Sequence, residues 1–155
     1  MPGSSRPHNL VAGRAYRRLA DAADAAGREA YTHDMRLRVP SGRYRYPDVM
    51  VTPSPPDMLD GEHDTVTNPL VLVEVLSDST ADVDRTEKLA EYRAIPSLTD
   101  YILLDQDEPA AEHHTREPGG EWRVAAASVA ADGPDAALAP HGLGEFKLAP
   151  LYPPA

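Results

Sequence analysis

A chain of 155 residues with a formal charge of −10 and no cysteine is sized for one domain with its own hydrophobic core. The missing cysteines exclude disulfides and thiolate metal sites, and no apolar run reaches the roughly 18 residues needed to span a bilayer, so the cytoplasm is the expected setting. The net acidity disfavours non-specific attraction to nucleic acid, but the charge is uneven: residues 1–46 hold nine arginines against four acidic residues, while residues 47–155 hold six basic and 21 acidic residues.

Residues 1–7 read as a flexible lead-in. Over residues 8–26, Val11, Ala15, Leu19, Ala22 and Ala26 recur in steps of three and four, which predicts a helix with one apolar face and Gly27 as its stop. Arg14, Arg17 and Arg18 fall mostly off that stripe. They are candidate contacts to nucleic acid, with a solvated helix face as the alternative. His8 and Asn9 are candidates for the N-cap or for a site at the helix start.

Residues 28–39 alternate Met35, Leu37 and Val39 with Asp34, Arg36 and Arg38, the pattern of a strand; the turn Pro40-Ser41-Gly42 and a second strand over residues 44–52 complete a hairpin. Pro47 removes one ladder hydrogen bond, so the second strand bends there and exposes Asp48 at the mouth of the sheet. Residues 53–69, rich in proline and acidic side chains, read as a mobile surface loop.

The stretch over residues 70–76 is aliphatic except for Glu74, and reads as a strand buried on both faces with an ionisable group inside it. A carboxylate in such a place must be paired, hydrogen-bonded or metal-bound. Strand alternation puts Glu74 on the face of Leu72 and Leu76, opposite Val73 and Val75. A helix follows over residues 82–94, stopped by Pro96, and on it Asp84, Lys88 and Tyr92 share one face at steps of four. Residues 101–105 form an internal strand, expected to lie parallel to the one bearing Glu74. Residues 111–116 and 122–128 form an antiparallel hairpin, residues 129–145 are loops around one short strand, and residues 146–152 dock a last strand or turn. His33, His63, His113, His114 and His141 lack metal-ligand spacing and read as structural or solvated.

Two carboxylates on neighbouring strands, Asp48 and Glu74, suit a hard, oxygen-seeking cation such as Mg²⁺. A lysine beside them, Lys88, can orient an attacking water or offset developing charge.

Pro47-Asp48, the string LVLVEVLSDST at 70–80, DRTEK at 84–88, Tyr92 and DYILLDQDEP at 100–109 together resemble the Uma-two (Uma2) family, a bacterial group classed with restriction endonucleases in the PD-(D/E)XK nuclease superfamily. The similarity runs over most of the chain. It implies a single restriction-endonuclease-like domain of α/β (α+β) class, with a mixed central β-sheet flanked by helices, order αβββαβ, and antiparallel strands after it. It further implies a DNA endonuclease using Mg²⁺, or Mn²⁺ as a substitute, held by Asp48, Glu74 and the backbone carbonyl of Val75. The superfamily's usual lysine lies two residues after the second acid, where this chain has Leu76, so Lys88 takes that role as a migrated lysine. Asp84, Arg85 and Tyr92 match the family's supporting residues.

Asp78 stands where the family has proline, and the family's longer N-terminal segment is not matched. Either the start is assigned late, or this is a shortened form whose sheet edge is covered differently, as by a second subunit in a homodimer. A second function class remains: a catalytically silent nuclease-fold module in which Glu74 and Lys88 are only a buried ion pair.

Overall fold

The computed structural model describes residues 4–61, 63–77 and 86–154. Helix α1 (Arg6–Ala25) starts two residues earlier than its apolar spacing predicts, because Ser5 is the N-cap: its hydroxyl accepts from the His8 N–H at 3.3 Å. Residues 6 and 7 therefore belong to the helix rather than the lead-in, and Asn9 and His8 are not its caps. Val11, Ala15, Leu19 and Ala23 are buried along one side. Gly27 follows at φ +71°, a left-handed conformation that glycine adopts without strain.

The expected hairpin is split between two sheets. Strand β1 (Arg28–Thr32) pairs antiparallel with β4 (Val49–Pro53), whereas β2 (Arg36–Arg38) pairs with β3 (Tyr44–Arg45) in a separate small sheet. One break falls at residues 33–35 and the other at residues 46–48, around Pro47, which cannot donate to a ladder. Within the 53–69 segment the chain also forms a strand. Strand β5 (Thr65–Val66) pairs in parallel with β2, and both of its residues are buried. Two residues are too short a run to register as a strand in sequence; pairing with β2 and burial of Val66 with Leu37 and Val39 fix them.

Strand β6 (Val71–Leu76) is buried at all six positions. Helix α2 (Glu87–Arg93) connects it onward to β7 (Asp100–Asp105), which pairs with β6 in parallel as expected. The hairpin of β8 (Ala110–Arg116) and β9 (Trp122–Ser128) completes a six-stranded sheet of order β1-β4-β6-β7-β8-β9. Only the β6–β7 pair is parallel, so the sheet is mixed. Along the chain, the main sheet and its helices read α1-β1-β4-β6-α2-β7, the order αβββαβ. A short helix α3 (Val129–Asp132), the pair β10 (Ala137–Leu138) and β11 (Phe146–Lys147), and a 3₁₀ turn at Ala149–Leu151 close the chain. Helix α3 is an addition to the loops expected there; Ser128 caps it by accepting from the Ala131 N–H at 3.0 Å.

Period-two alternation sorts the core into two layers. Val49, Val51, Val71, Val73, Val75, Ile102 and Leu104 pack with the apolar stripe of α1 and with Phe146, Leu148 and Leu151. Met50, Leu72, Leu76, Tyr101 and Leu103 pack on the other side with Leu37, Val39, Val66 and Tyr92. Burial of one such leucine contributes about 1.5–3 kcal/mol, so the sheet is anchored on both faces. Among the described residues no helix is long and apolar enough to cross a membrane.

Candidate active site

The antiparallel register of β4 and β6 sets Val49 opposite Val73 and Met50 opposite Leu72. One further step brings Asp48 to the position facing Glu74. The Asp48 carboxylate is fixed there by the Val75 N–H, which donates to Oδ2 at 2.8 Å. Proline at 47 thus does two things: it ends the ladder, and it turns Asp48 so that its side chain caps the neighbouring strand. His8, in the first turn of α1, brings Nε2 to 3.4 Å from the same Asp48 oxygen.

Glu74 is 4% exposed and shares the face of Leu72 and Leu76. Its Oε1 accepts from the Tyr92 hydroxyl at 3.0 Å, and Lys88 Nζ lies 3.5 Å from the same atom. Both partners come from one side of α2, as a four-residue spacing requires. The Tyr92 ring is fully buried edge-to-face against Tyr101, with centroids 4.9 Å apart. Burial, followed by the charge of Glu74, pushes the Tyr92 hydroxyl well above its ordinary pKa of 10.0, so it stays a proton donor to the carboxylate.

Helix α2 is tied to the small sheet on its adjoining side. Arg45 donates to Glu91 Oε1 through Nε at 2.9 Å and Nη2 at 2.6 Å, and its Nη2 lies 3.2 Å from Glu87 Oε1, which also receives Arg43. Burial alone would lower the Arg45 pKa, but the two carboxylates outweigh it and raise it. These pairs fix the helix that carries Lys88 and Tyr92.

Glu74, Lys88 and Tyr92 therefore converge, and Asp48 is held on the neighbouring strand by the N–H of Val75, the residue after Glu74. Arg14, Arg17 and Arg18 do not join them: α1 packs on the face of the sheet opposite Glu74. Asp78, Asp84 and Arg85 lie outside the described residues. Sequence reasoning missed Arg45 and Glu91 altogether and left His8 between two roles. The Ser5-Arg6-Pro7 signal of an N-cap followed by early proline would have placed His8 in the first turn; the Arg45–Glu91 contact has no local signature.

The carboxylates of Asp48 and Glu74 are oxygen donors of the hard type that could hold a divalent cation with waters completing its shell. Among the described residues no group of three or more His, Asp or Glu is arranged to hold a metal by itself.

A second polar cluster lies lower on the sheet, where Asp100 pairs with Val71 at the start of β6. Asp100 is fully buried and receives His113 Nε2 at 2.6 Å, the Thr99 hydroxyl at 2.7 Å, and both Nδ1 and the backbone N–H of His141 at 2.9 and 3.1 Å. It stitches β8 and the C-terminal segment to β7.

A mixed sheet in αβββαβ order defines a nuclease-like α+β fold. The same fold occurs in a crystal structure from Anabaena variabilis described as a "putative nuclease belonging to DUF820", with a TM-score of 0.72 and 17% identity over 97% of this chain and 82% of that one. The chain belongs to the Uma2 family, whose model, described as "Putative restriction endonuclease", matches residues 1–150. It is similar to two Synechocystis proteins, sll1609 and slr1290. The first is 37% identical over 121 residues, 77% of this chain and 68% of the relative; the second is 29% identical over 125 residues, 80% and 65% respectively. The chain thus spans about two thirds of the length of these relatives.

Proposed function

We propose that this chain is a Mg²⁺-dependent DNA endonuclease that hydrolyses phosphodiester bonds. Membership of the Uma2 family supports nuclease chemistry, and the observation that carries the assignment of residues is the 3.5 Å approach of Lys88 to Glu74. Asp48, Glu74 and the Val75 carbonyl hold the metal. When bound, Mg²⁺, or Mn²⁺ in its place, supplies charge stabilisation to the phosphate. Lys88 orients the attacking water and offsets charge that develops on the phosphate. Tyr92 holds Glu74 Oε1 in one orientation, and His8 with the Val75 N–H does the same for Asp48. Asp84 and Arg85 enter this reading through the family's motif.

The setting in this reading is the cytoplasm and the assembly a homodimer. Strand β9 ends the main sheet and exposes Val124, an edge that a second copy of the chain is suited to cover. Light scattering on the purified protein checks the dimer.

The decisive assay incubates the protein with supercoiled, linear and single-stranded DNA in Mg²⁺ or Mn²⁺, beside Glu74→Ala. Cleavage that Glu74→Ala abolishes is expected. Absence of cleavage from every DNA form, or equal cleavage by the variant, removes the proposal.

The net charge of −10 favours a second reading, a catalytically silent module in which Glu74 and Lys88 are a structural pair. Calorimetric titration with Mg²⁺ separates the two: a site lost in Asp48→Ala belongs to the nuclease, and no binding to the module.

A further inference from the structure

We infer that the outer face of the β2–β3 ribbon is the surface that holds the DNA strand; this rests on the nuclease reading above and names its substrate contact. Residues 36–46 read RLRVPSGRYRY, with four arginines, two tyrosines and no acidic residue in an otherwise acidic chain. The register Leu37 to Arg45 and Arg38 to Tyr44 divides them between two faces. Leu37 is fully buried, and Arg45 engages α2. Arg36, Arg38 and Tyr44 share the other face, and continuing the register sets Tyr46 opposite Arg36.

That face is unusual in what it leaves in water. Tyr44 is 44% and Tyr46 55% exposed, two of the three large hydrophobic side chains left exposed among the described residues. The Arg36 guanidinium lies 4.4 Å from the Tyr44 ring centroid and that of Arg38 5.7 Å. A guanidinium plane held by an aromatic ring loses less freedom when it grips a phosphate, and a tyrosine face accepts a sugar or base. Arg36 is further steadied by Thr65 at 2.8 Å and Asp64 at 3.6 Å.

Position supports the same occupant. Tyr46 precedes Asp48 by two residues, so a strand lying along the ribbon runs to the carboxylates. Phosphates meet Arg36 and Arg38, and a sugar or base meets Tyr46. Helix α1, with Arg14, Arg17 and Arg18, sits across the sheet and is not the principal contact.

The test is fluorescence anisotropy of labelled duplex and single-stranded DNA in EDTA, which reads binding apart from cleavage. It uses the full chain, Arg38→Ala, Tyr46→Ala and the double variant, with Arg17→Ala/Arg18→Ala as comparator. Arg38→Ala is expected to weaken binding about fivefold and to reduce the slope of log affinity against log salt by about 1. Tyr46→Ala is expected to weaken single-strand binding about tenfold with the slope unchanged. Unchanged melting temperatures exclude misfolding of these variants.

Full affinity in the double variant, or a loss confined to the α1 variant, overturns the inference while leaving the nuclease reading intact, provided the parent protein cleaves. A parent protein that neither binds nor cleaves DNA overturns both. A dimer that Tyr46→Ala turns into monomers at unchanged DNA affinity assigns the face to a second copy of the chain instead.

Discussion

Lys88 Nζ lies 3.5 Å from Glu74 Oε1, the same oxygen that accepts the Tyr92 hydroxyl at 3.0 Å. The lysine comes from the helix after the strand rather than from the strand itself, where Leu76 stands. In the proposed reaction a cation at this place would act on the phosphate through its proximity to Glu74. Lys88→Met keeps the apolar stem and removes the charge. The turnover rate is expected to fall by about 10²–10³-fold with little change in KM, the pattern of an interaction made in the transition state. Single-turnover cleavage under saturating DNA measures it, and a variant with unaltered rate removes Lys88 from the chemistry. Because the Lys88 side chain is 18% exposed, stability should drop by only about 1–3 kcal/mol, read from urea unfolding.

Tyr92→Phe removes one hydroxyl and leaves the ring on Tyr101. The lost hydrogen bond to a charged acceptor is expected to cost about 1.5–3 kcal/mol of stability. Burial and then the Glu74 charge hold the hydroxyl well above its ordinary pKa of 10.0, so Tyr92 contributes no limb to a pH–rate profile between pH 5 and 9. Tyr92→Phe should lower the whole profile without changing its shape. An alkaline limb in the parent protein's cleavage profile that vanishes in Tyr92→Phe contradicts this role.

Much of this arrangement was legible because its signals are local. An aliphatic run with one carboxylate announces β6 and the oddity of Glu74; a proline before an acid announces the bend at Asp48; a four-residue step puts Lys88 and Tyr92 on one side of a helix. What was illegible depends on partners distant in sequence. Residues 35–39 alternate without a break, so nothing local tells that Thr32 ends in one sheet and Arg36 begins another. Thr65 and Val66 become a strand only because β2 lies beside them. Arg45 meets Glu91 across 46 positions, a pairing that no helical or strand period encodes. His8 falls between cap and site in the sequence because Ser5, three residues earlier, reads as part of the lead-in.

Asp100 supplies a stability test away from the acid pair. Burial would raise its pKa, but hydrogen bonds from His113, Thr99 and His141 outweigh it, and the folded value is lowered below 3.8. A carboxylate with a depressed folded pKa contributes stability that is fully present above its unfolded value and is lost as pH falls through the folded one. Asp100→Asn is therefore expected to destabilise the protein by about 1–3 kcal/mol at pH 7, with the gap to the parent narrowing below about pH 4, near the unfolded carboxylate value. Urea unfolding across pH 3–7 measures both. A gap independent of pH means that the hydrogen-bond geometry, rather than the ionised carboxylate, carries the effect.

Leu76 offers the most direct check on why Lys88 matters. It is 8% exposed, at the end of β6, two residues beyond Glu74 and on the same face. A lysine there has a stem long enough to cover the apolar surface that Leu76 now buries while its ammonium turns toward the acid pair. If Lys88 works by holding a cation beside Glu74, the source of that cation is interchangeable. Leu76→Lys in the Lys88→Met background should then recover about tenfold of the lost rate, at some expense in melting temperature from burying a charged head. Leu76→Met in the same background controls for packing and should recover nothing. A double variant that folds yet stays at the Lys88→Met rate would mean that Lys88 acts through a geometry only α2 provides, with the Glu74 contact secondary to it.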